Sequence, residues 1–228
     1  MITSVDCVLL TLENNLLKVL LIKREHEPFK NNWTLCGGYI DPLLDKDDFA
    51  CANRILFKKI GVEVNYLEQL KTFASATRDP RDWSMSITWY ALVNADSLRN
   101  MIKAHSTKEL SNHAIKEMDL FDVDNLPTLG FDHNEIVQCA VNRVRNKSLY
   151  SSLVGYLLNK EFTLAELQSA YEAVLKEKIN TSVFRRKLQE FDFVEEVPNK
   201  LIRKGANRPA QIYQLKDDLI LTKKTFKN

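Results

Sequence analysis

Residues 37–62, GGYIDPLLDKDDFACANRILFKKIGV, decide the reading of the chain. Two glycines form a turn and an acidic stretch follows. An amphipathic helix-compatible run then ends at Gly61, where a helix C-cap glycine belongs. Upstream, residues 5–12 and 17–24 are β-rich apolar runs separated by Glu-Asn-Asn, the pattern of a hairpin. The loop EHEPFKNNW joins them to TLCGGYI, so the order around the deciding stretch is strand, loop, helix. Downstream, residues 87–93 (ITWYALV) form another strand pattern after the charged loop ATRDPRDWSM, while residues 96–116 are polar and suggest irregular structure or a short helix.

At Phe131–Glu135, Asp132 and Glu135 have capping-box spacing, and Ile136, Val137, Ala140, Val141 and Val144 line one face of a helix that closes a first domain. The chain then divides near residue 148. Residues 1–148 hold 18 Lys+Arg against 20 Asp+Glu, whereas residues 149–228 hold 14 against 10, so a small basic domain follows an acidic one. The second part shows helical patterns at 149–158, 163–176 and 181–191, then strand patterns FVEEVP and QIYQL. That order predicts a winged helix-turn-helix. The expected fold class is α+β: an N-terminal α/β/α sandwich with a mixed sheet over 1–148 and a winged helix over 149–228.

The 228 residues are 45% hydrophobic, enough for real cores. No run approaches the roughly 18 apolar residues of a membrane span, and MITSVDCVLLTL lacks the marks of a signal peptide. A cytoplasmic protein with no membrane partner is expected. Cys7, Cys36, Cys51 and Cys139 are scattered without a C-x2-C pair and read as buried reduced thiols.

The deciding stretch resembles the Nudix box, G-x5-E-x7-R-E-U-x-E-E-x-G-U, with Gly38, Arg54, Gly61 and Val62 fitting the frame after a two-residue extension. The positions of the three helix carboxylates hold Ile55, Lys58 and Lys59. On an α-helix these would share one face and bind hard divalent cations. A cationic face repels Mg²⁺, which implies no metal and no hydrolase activity. The loop carboxylates Asp41, Asp45, Asp47 and Asp48 read as solvated. With PFKNNW, ATRDPRDW and GFDH in their places, nearly the whole chain resembles the NrtR group of Nudix-related transcriptional regulators, whose boxes are eroded in a similar way. The resemblance implies a repressor of NAD-metabolism genes that senses ADP-ribose or a related nucleotide. Two alternatives stay open: a regulator of the same architecture responding to a sugar such as arabinose, and a residual ADP-ribose pyrophosphatase.

Arg78, Asp79, Arg81 and Trp83 occupy one loop whose two guanidiniums and aromatic face suit a diphosphate carrying a base or sugar, and the resemblance implies that this is the effector loop. The same four residues also read as a surface ion-pair cluster. Arg24, Lys58 and Lys59 are further candidates for the anion, and His133 reads as structural or hinge-like. In TSVFRRKLQEF, Phe184, Leu188 and Phe191 face inward, leaving Ser182, Arg185, Arg186 and Gln189 as a major-groove reader. Lys187, with Arg203, Lys204 and Arg208 of a basic wing, would hold phosphates. Double-stranded operator DNA, a small-molecule effector and a second copy of the chain are the expected partners.

Overall fold

The computed structural model describes residues 1–106, 115–203, 209–216, 218–222 and 225. The chain forms two compact units, Met1–Thr11 with Leu17–Asn142, and Leu12–Leu16 with Arg143–Asn228.

The first unit is built on a seven-stranded mixed sheet. Its strands are β1 (Ile2–Glu13), β2 (Leu16–Arg24), β3 (Trp33–Thr34), β4 (Cys36–Tyr39), β5 (Tyr66–Ser75), β6 (Ser84–Leu92) and β7 (Ile115–Asp122). β1 is central: it runs parallel to β6, from Ile2 opposite Ser84 to Leu10 opposite Leu92, and antiparallel to β4. Residues Val5 to Thr11 are buried without alternation, which requires cover on both faces of the sheet. One layer comprises α1 (Asp48–Arg54), capped by the Asp47 side chain, and a π-helical turn over Ile55–Ile60 that ends at Gly61 with φ 78. Cys51, Ala52, Ile55 and Leu56 of this layer pack in one cluster with Val5, Cys7, Leu9, Trp89 and Ala91. Elsewhere α2 (Ala95–Ser106) buries Leu98 and Met101, and α3 (His133–Ser148) buries Ile136, Val137, Ala140, Val141 and Val144. The hairpin between β1 and β2 turns on Asn14 and Asn15, at φ 53 and 58, the two positive angles a tight hairpin turn demands.

The second unit contains a 3-10 turn (Leu153–Leu157), β8 (Phe162–Thr163), α4 (Leu164–Leu175), α5 (Thr181–Phe191), β9 (Val194–Ile202) and β10 (Ala210–Leu215). The strands form an antiparallel sheet in the order β8-β10-β9. Thr163 and Glu166 make the expected capping box at the start of α4. After β10 the chain returns as a strap: Ile220 accepts from the Ser152 amide at 3.0 Å, Thr222 donates to Tyr150 O at 2.7 Å, and Leu221 bridges Ser151.

Several expectations are corrected. The helix expected over 149–158 is only the 3-10 turn, because the Ser148 and Ser151 hydroxyls turn back onto the Val144 and Lys147 carbonyls and Gly155 lies against Leu215. Residues 96–116 hold α2 and the start of β7, with 107–114 outside the described residues. Asp132 does not cap α3 with its side chain, since its carboxylate is taken by Arg78. Asp45 is buried, not solvated: Arg54 donates two hydrogen bonds of 2.6 Å to it, which hold its carboxyl far below the usual carboxylate range. Cys7, Cys36 and Cys51 are buried free thiols, with burial pushing Cys36 up to about 12, and Cys139 is half-buried.

Candidate effector pocket and DNA-reading face

In the first unit a cavity of about 210 Å³ opens over the ends of β1, β2 and β4. Its wall includes Asp6, Arg24, Tyr39, Lys59, Arg78, Asp79, Arg81, Phe131 and His133. The floor is fixed by a buried network. Arg78 donates to both oxygens of Asp132 at 2.9 Å, and its Nη2 lies 3.4 Å from Asp6 Oδ2. His133 accepts the Leu35 amide proton at Nδ1 (2.9 Å), which leaves Nε2 3.8 Å from Asp6. Burial lowers the His133 pKa against the pull of Asp6 and Asp132, so the neutral ring is favoured. Gly37 lies opposite Asp6 on β1, where a Cβ would meet Asp6 Oδ1 at 2.0 Å and the Val5 carbonyl at 2.9 Å, so a larger residue would force one of them to move.

Above this floor, Arg81 forms a two-point ion pair with Asp79 (2.9 and 2.7 Å) and donates to the Tyr39 hydroxyl at 2.7 Å. Arg24 donates to the Pro28 carbonyl at 2.8 Å and lies 5.2 Å from the centre of the Phe131 ring. Its pKa is lowered by burial and then by the charge of Arg81, which lines the same cavity. No carboxylate pairs with Arg24 among the described residues. Lys59 donates to the Gly37 carbonyl at 2.5 Å.

The expected effector residues therefore separate. Arg24, Lys59, Arg78, Asp79 and Arg81 meet at one cavity, but Arg78 is buried and committed to carboxylates. Trp83 is exposed and Lys58 faces solvent; neither lines the cavity, whose aromatic surfaces are Tyr39 and Phe131. Tyr39, Asp6 and Phe131 were not among the expected effector residues. Tyr39 could have been suspected from its place beside the glycine turn. The three positions that align with the carboxylates of the Nudix box do not share a face. On the π turn Ile55 enters the core, Lys58 points outward and Lys59 reaches the cavity.

A divalent cation of the kind Nudix hydrolases use does not fit these residues. Asp6 and Asp79 are engaged by arginines, Asp45 by Arg54, and Asp47 caps α1. Among the described residues no three His, Cys, Asp or Glu side chains are grouped to hold a metal.

In the second unit α5 begins at Asn180, whose side chain accepts from the Ser182 and Val183 amides. Phe184, Leu188 and Phe191 are buried, and Ser182, Arg185, Arg186 and Gln189 are exposed on the outer face, as expected. Arg185 and Gln189 share an open groove of about 680 Å³ with Asp192 and Tyr213. Lys187 is a correction: it is buried and donates to the Thr225 carbonyl at 2.9 Å, so its ammonium ties α5 to the terminal strap. Arg203 is exposed at the end of β9, while Lys204 and Arg208 lie outside the described residues.

Fold and sites together define a two-part protein: a Nudix-type sandwich with a cationic, metal-unfit cavity, and a winged helix with an exposed Arg/Gln face. Family models agree, with the NUDIX domain matching residues 2–138 and the NrtR DNA-binding winged helix domain matching residues 154–215. The chain belongs to the NrtR family. It is 36% identical over 213 residues to an ADPR responsive transcriptional repressor of Acinetobacter baylyi, covering 92% of this chain and 80% of the relative. The crystal structure of Shewanella oneidensis NrtR complexed with a 27mer DNA is similar, with a TM-score of 0.86 at 31% identity over 99% of each chain. The NUDIX domain of that NrtR, complexed with ADP ribose, has a TM-score of 0.54 at 29% identity over 63% of this chain and 88% of its own. No helix among the described residues is long and apolar enough to cross a membrane.

Proposed function

We propose that this chain is a transcriptional repressor whose Nudix domain, 1–148, senses ADP-ribose without hydrolysing it and whose winged helix, 149–228, reads an operator of NAD-metabolism genes. The reading rests above all on one observation: a cationic cavity in a Nudix sandwich shares a chain with an exposed Arg/Gln helix face, over the full length of a relative crystallised with DNA. Arg24, Lys59 and Arg81 bind the diphosphate, with Tyr39 and Phe131 as the apolar surfaces. Arg185, Arg186 and Gln189 contact base edges, Ser182 supports them, and Arg203 with Lys204 and Arg208 holds phosphates. The protein acts as a homodimer, two winged helices reading a two-fold operator. α3 begins in the cavity wall at His133, and its last residues cluster with the second unit, so a shift at its first turn reaches the DNA-reading unit.

Operator binding is measured by fluorescence anisotropy in EDTA while ADP-ribose is added, with arabinose as control. ADP-ribose should release the DNA and arabinose should not. Unchanged DNA affinity with ADP-ribose, or release of AMP and ribose 5-phosphate when Mg²⁺ is added, would remove this reading or its non-catalytic part respectively.

A further inference from the structure

The Nudix sandwich implies a divalent cation, and the residues here do not fit one. What stands at that wall instead is a lysine. Lys59 leaves the π-helical turn, enters the cavity lining and donates to the Gly37 carbonyl. That carbonyl belongs to a rigid strand: Gly37 is registered against Asp6 on β1 with no room for a Cβ, and Asp6 is itself held by Arg78. A lysine ammonium is a compact, strongly hydrated point charge that seeks oxygen ligands, as a hard metal ion does.

Charge bookkeeping points the same way. Around the cavity four cationic side chains, Arg24, Lys59, Arg78 and Arg81, stand against three carboxylates, Asp6 and Asp79 of the lining and the Asp132 that Arg78 holds. Arg78 is turned to Asp132 and Asp6, and Arg81 to Asp79, while Lys59 brings its ammonium to the same wall from the π-helical turn. A free divalent ion is repelled by that surplus, while a diphosphate is drawn to it.

We propose that the Lys59 ammonium, tethered to the Gly37 carbonyl, is the built-in cation of this pocket and takes over, for a diphosphate ligand, the charge-neutralising role that a divalent metal has in a hydrolase. This rests on the sensor reading above and assigns its metal independence to one side chain. A cation on a short leash neutralises the diphosphate but activates no water, which joins ligand recognition to the loss of hydrolysis.

The test is calorimetric titration of the full chain, wild type, Lys59→Met and Lys59→Arg, with ADP-ribose and separately with inorganic diphosphate, each in EDTA and in MgCl₂. Thermal melts of the three proteins confirm folding. Wild type should bind ADP-ribose equally in both buffers. Lys59→Met should bind about tenfold to a hundredfold more weakly, the effect of removing one charge-assisted hydrogen bond, and Lys59→Arg should recover most of the loss. Wild-type binding that requires Mg²⁺, or a folded Lys59→Met that binds as wild type does, overturns the assignment. Binding of diphosphate but not ADP-ribose sinks the sensor reading alone, and the Lys59 comparison on diphosphate then decides the inference. If neither anion binds, both fall.

Discussion

Arg78→Ala is the substitution a binding study would try first, and the structure says it will mislead. Arg78 is not a free guanidinium waiting for phosphate. Its side chain is 5% exposed and is shared between Asp132 and Asp6, which are 18% and 10% exposed. Removing it leaves two carboxylates beside the buried His133 without their cation. Breaking a buried ion pair from one side costs about 3–5 kcal/mol. At about 2–4 °C per kcal/mol for a protein of this size, the melting transition should fall on the order of 10 °C. Arg81→Ala removes a side chain 39% exposed, and the backbone amide of residue 81 still donates to Asp79, so stability should change by about 1 kcal/mol or less while effector affinity falls. The assay is urea unfolding and scanning calorimetry of both variants and of Arg78→Ala with Asp132→Ala. Each single change and the pair complete a double-mutant cycle, for which a coupling above about 1 kcal/mol is expected. An Arg78→Ala protein that melts within about 2 °C of wild type, or strictly additive effects of Arg78→Ala and Asp132→Ala, would refute the network and return Arg78 to the ligand.

Further expectations follow from the same geometry. His133 has its pKa lowered from 6.5 by burial, so the unfolded chain binds a proton that the folded one refuses. Its contribution to stability is therefore present above pH 6.5 and is lost as pH falls below that value, by up to about 1.4 kcal/mol per pH unit; His133→Asn, which keeps an acceptor for the Leu35 amide, should flatten that loss in urea titrations across pH 5–7. Lys187→Met should leave the salt dependence of operator binding unchanged, because Lys187 ties down the strap, whereas Arg203→Ala should reduce the slope of log K against log salt by about 0.9; a fall in slope for Lys187→Met would place its ammonium on a phosphate after all. Gly37→Ala should cost about 1–3 kcal/mol by overpacking against Asp6, and an unchanged unfolding midpoint would contradict the close β1–β4 approach.

The elements legible in the sequence are those whose burial follows one period. The β1–β2 hairpin with its Asn pair, the Thr163 capping box and the Phe184–Leu188–Phe191 stripe of α5 all declare themselves locally. β5 does not, because only Leu70 and Phe73 of its ten residues are buried and it lies at a sheet edge amid Glu, Gln, Lys and Thr. The pocket was half legible. Charge in RDPRDW pointed to a cationic cavity, but the ion pairing that disqualifies Arg78 comes from Asp132, 54 residues on, and the carbonyl that hides Lys187 is 38 residues away. Side-chain type shows what a residue can bind; only the fold shows what it has already bound. Tyr39, Asp6 and Phe131 join the cavity through strand register and a distant loop, which no local pattern reports.

The π-helical turn over Ile55–Ile60 also bears on protein engineering. Glutamates placed at 55, 58 and 59 would not come together around one cation: Ile55→Glu would bury a carboxylate in a site 2% exposed, Lys58→Glu would reach only solvent, and Lys59→Glu alone would see the cavity. Any library meant to build a metal site on this helix would first have to reset the winding by which residues 55, 58 and 59 are presented.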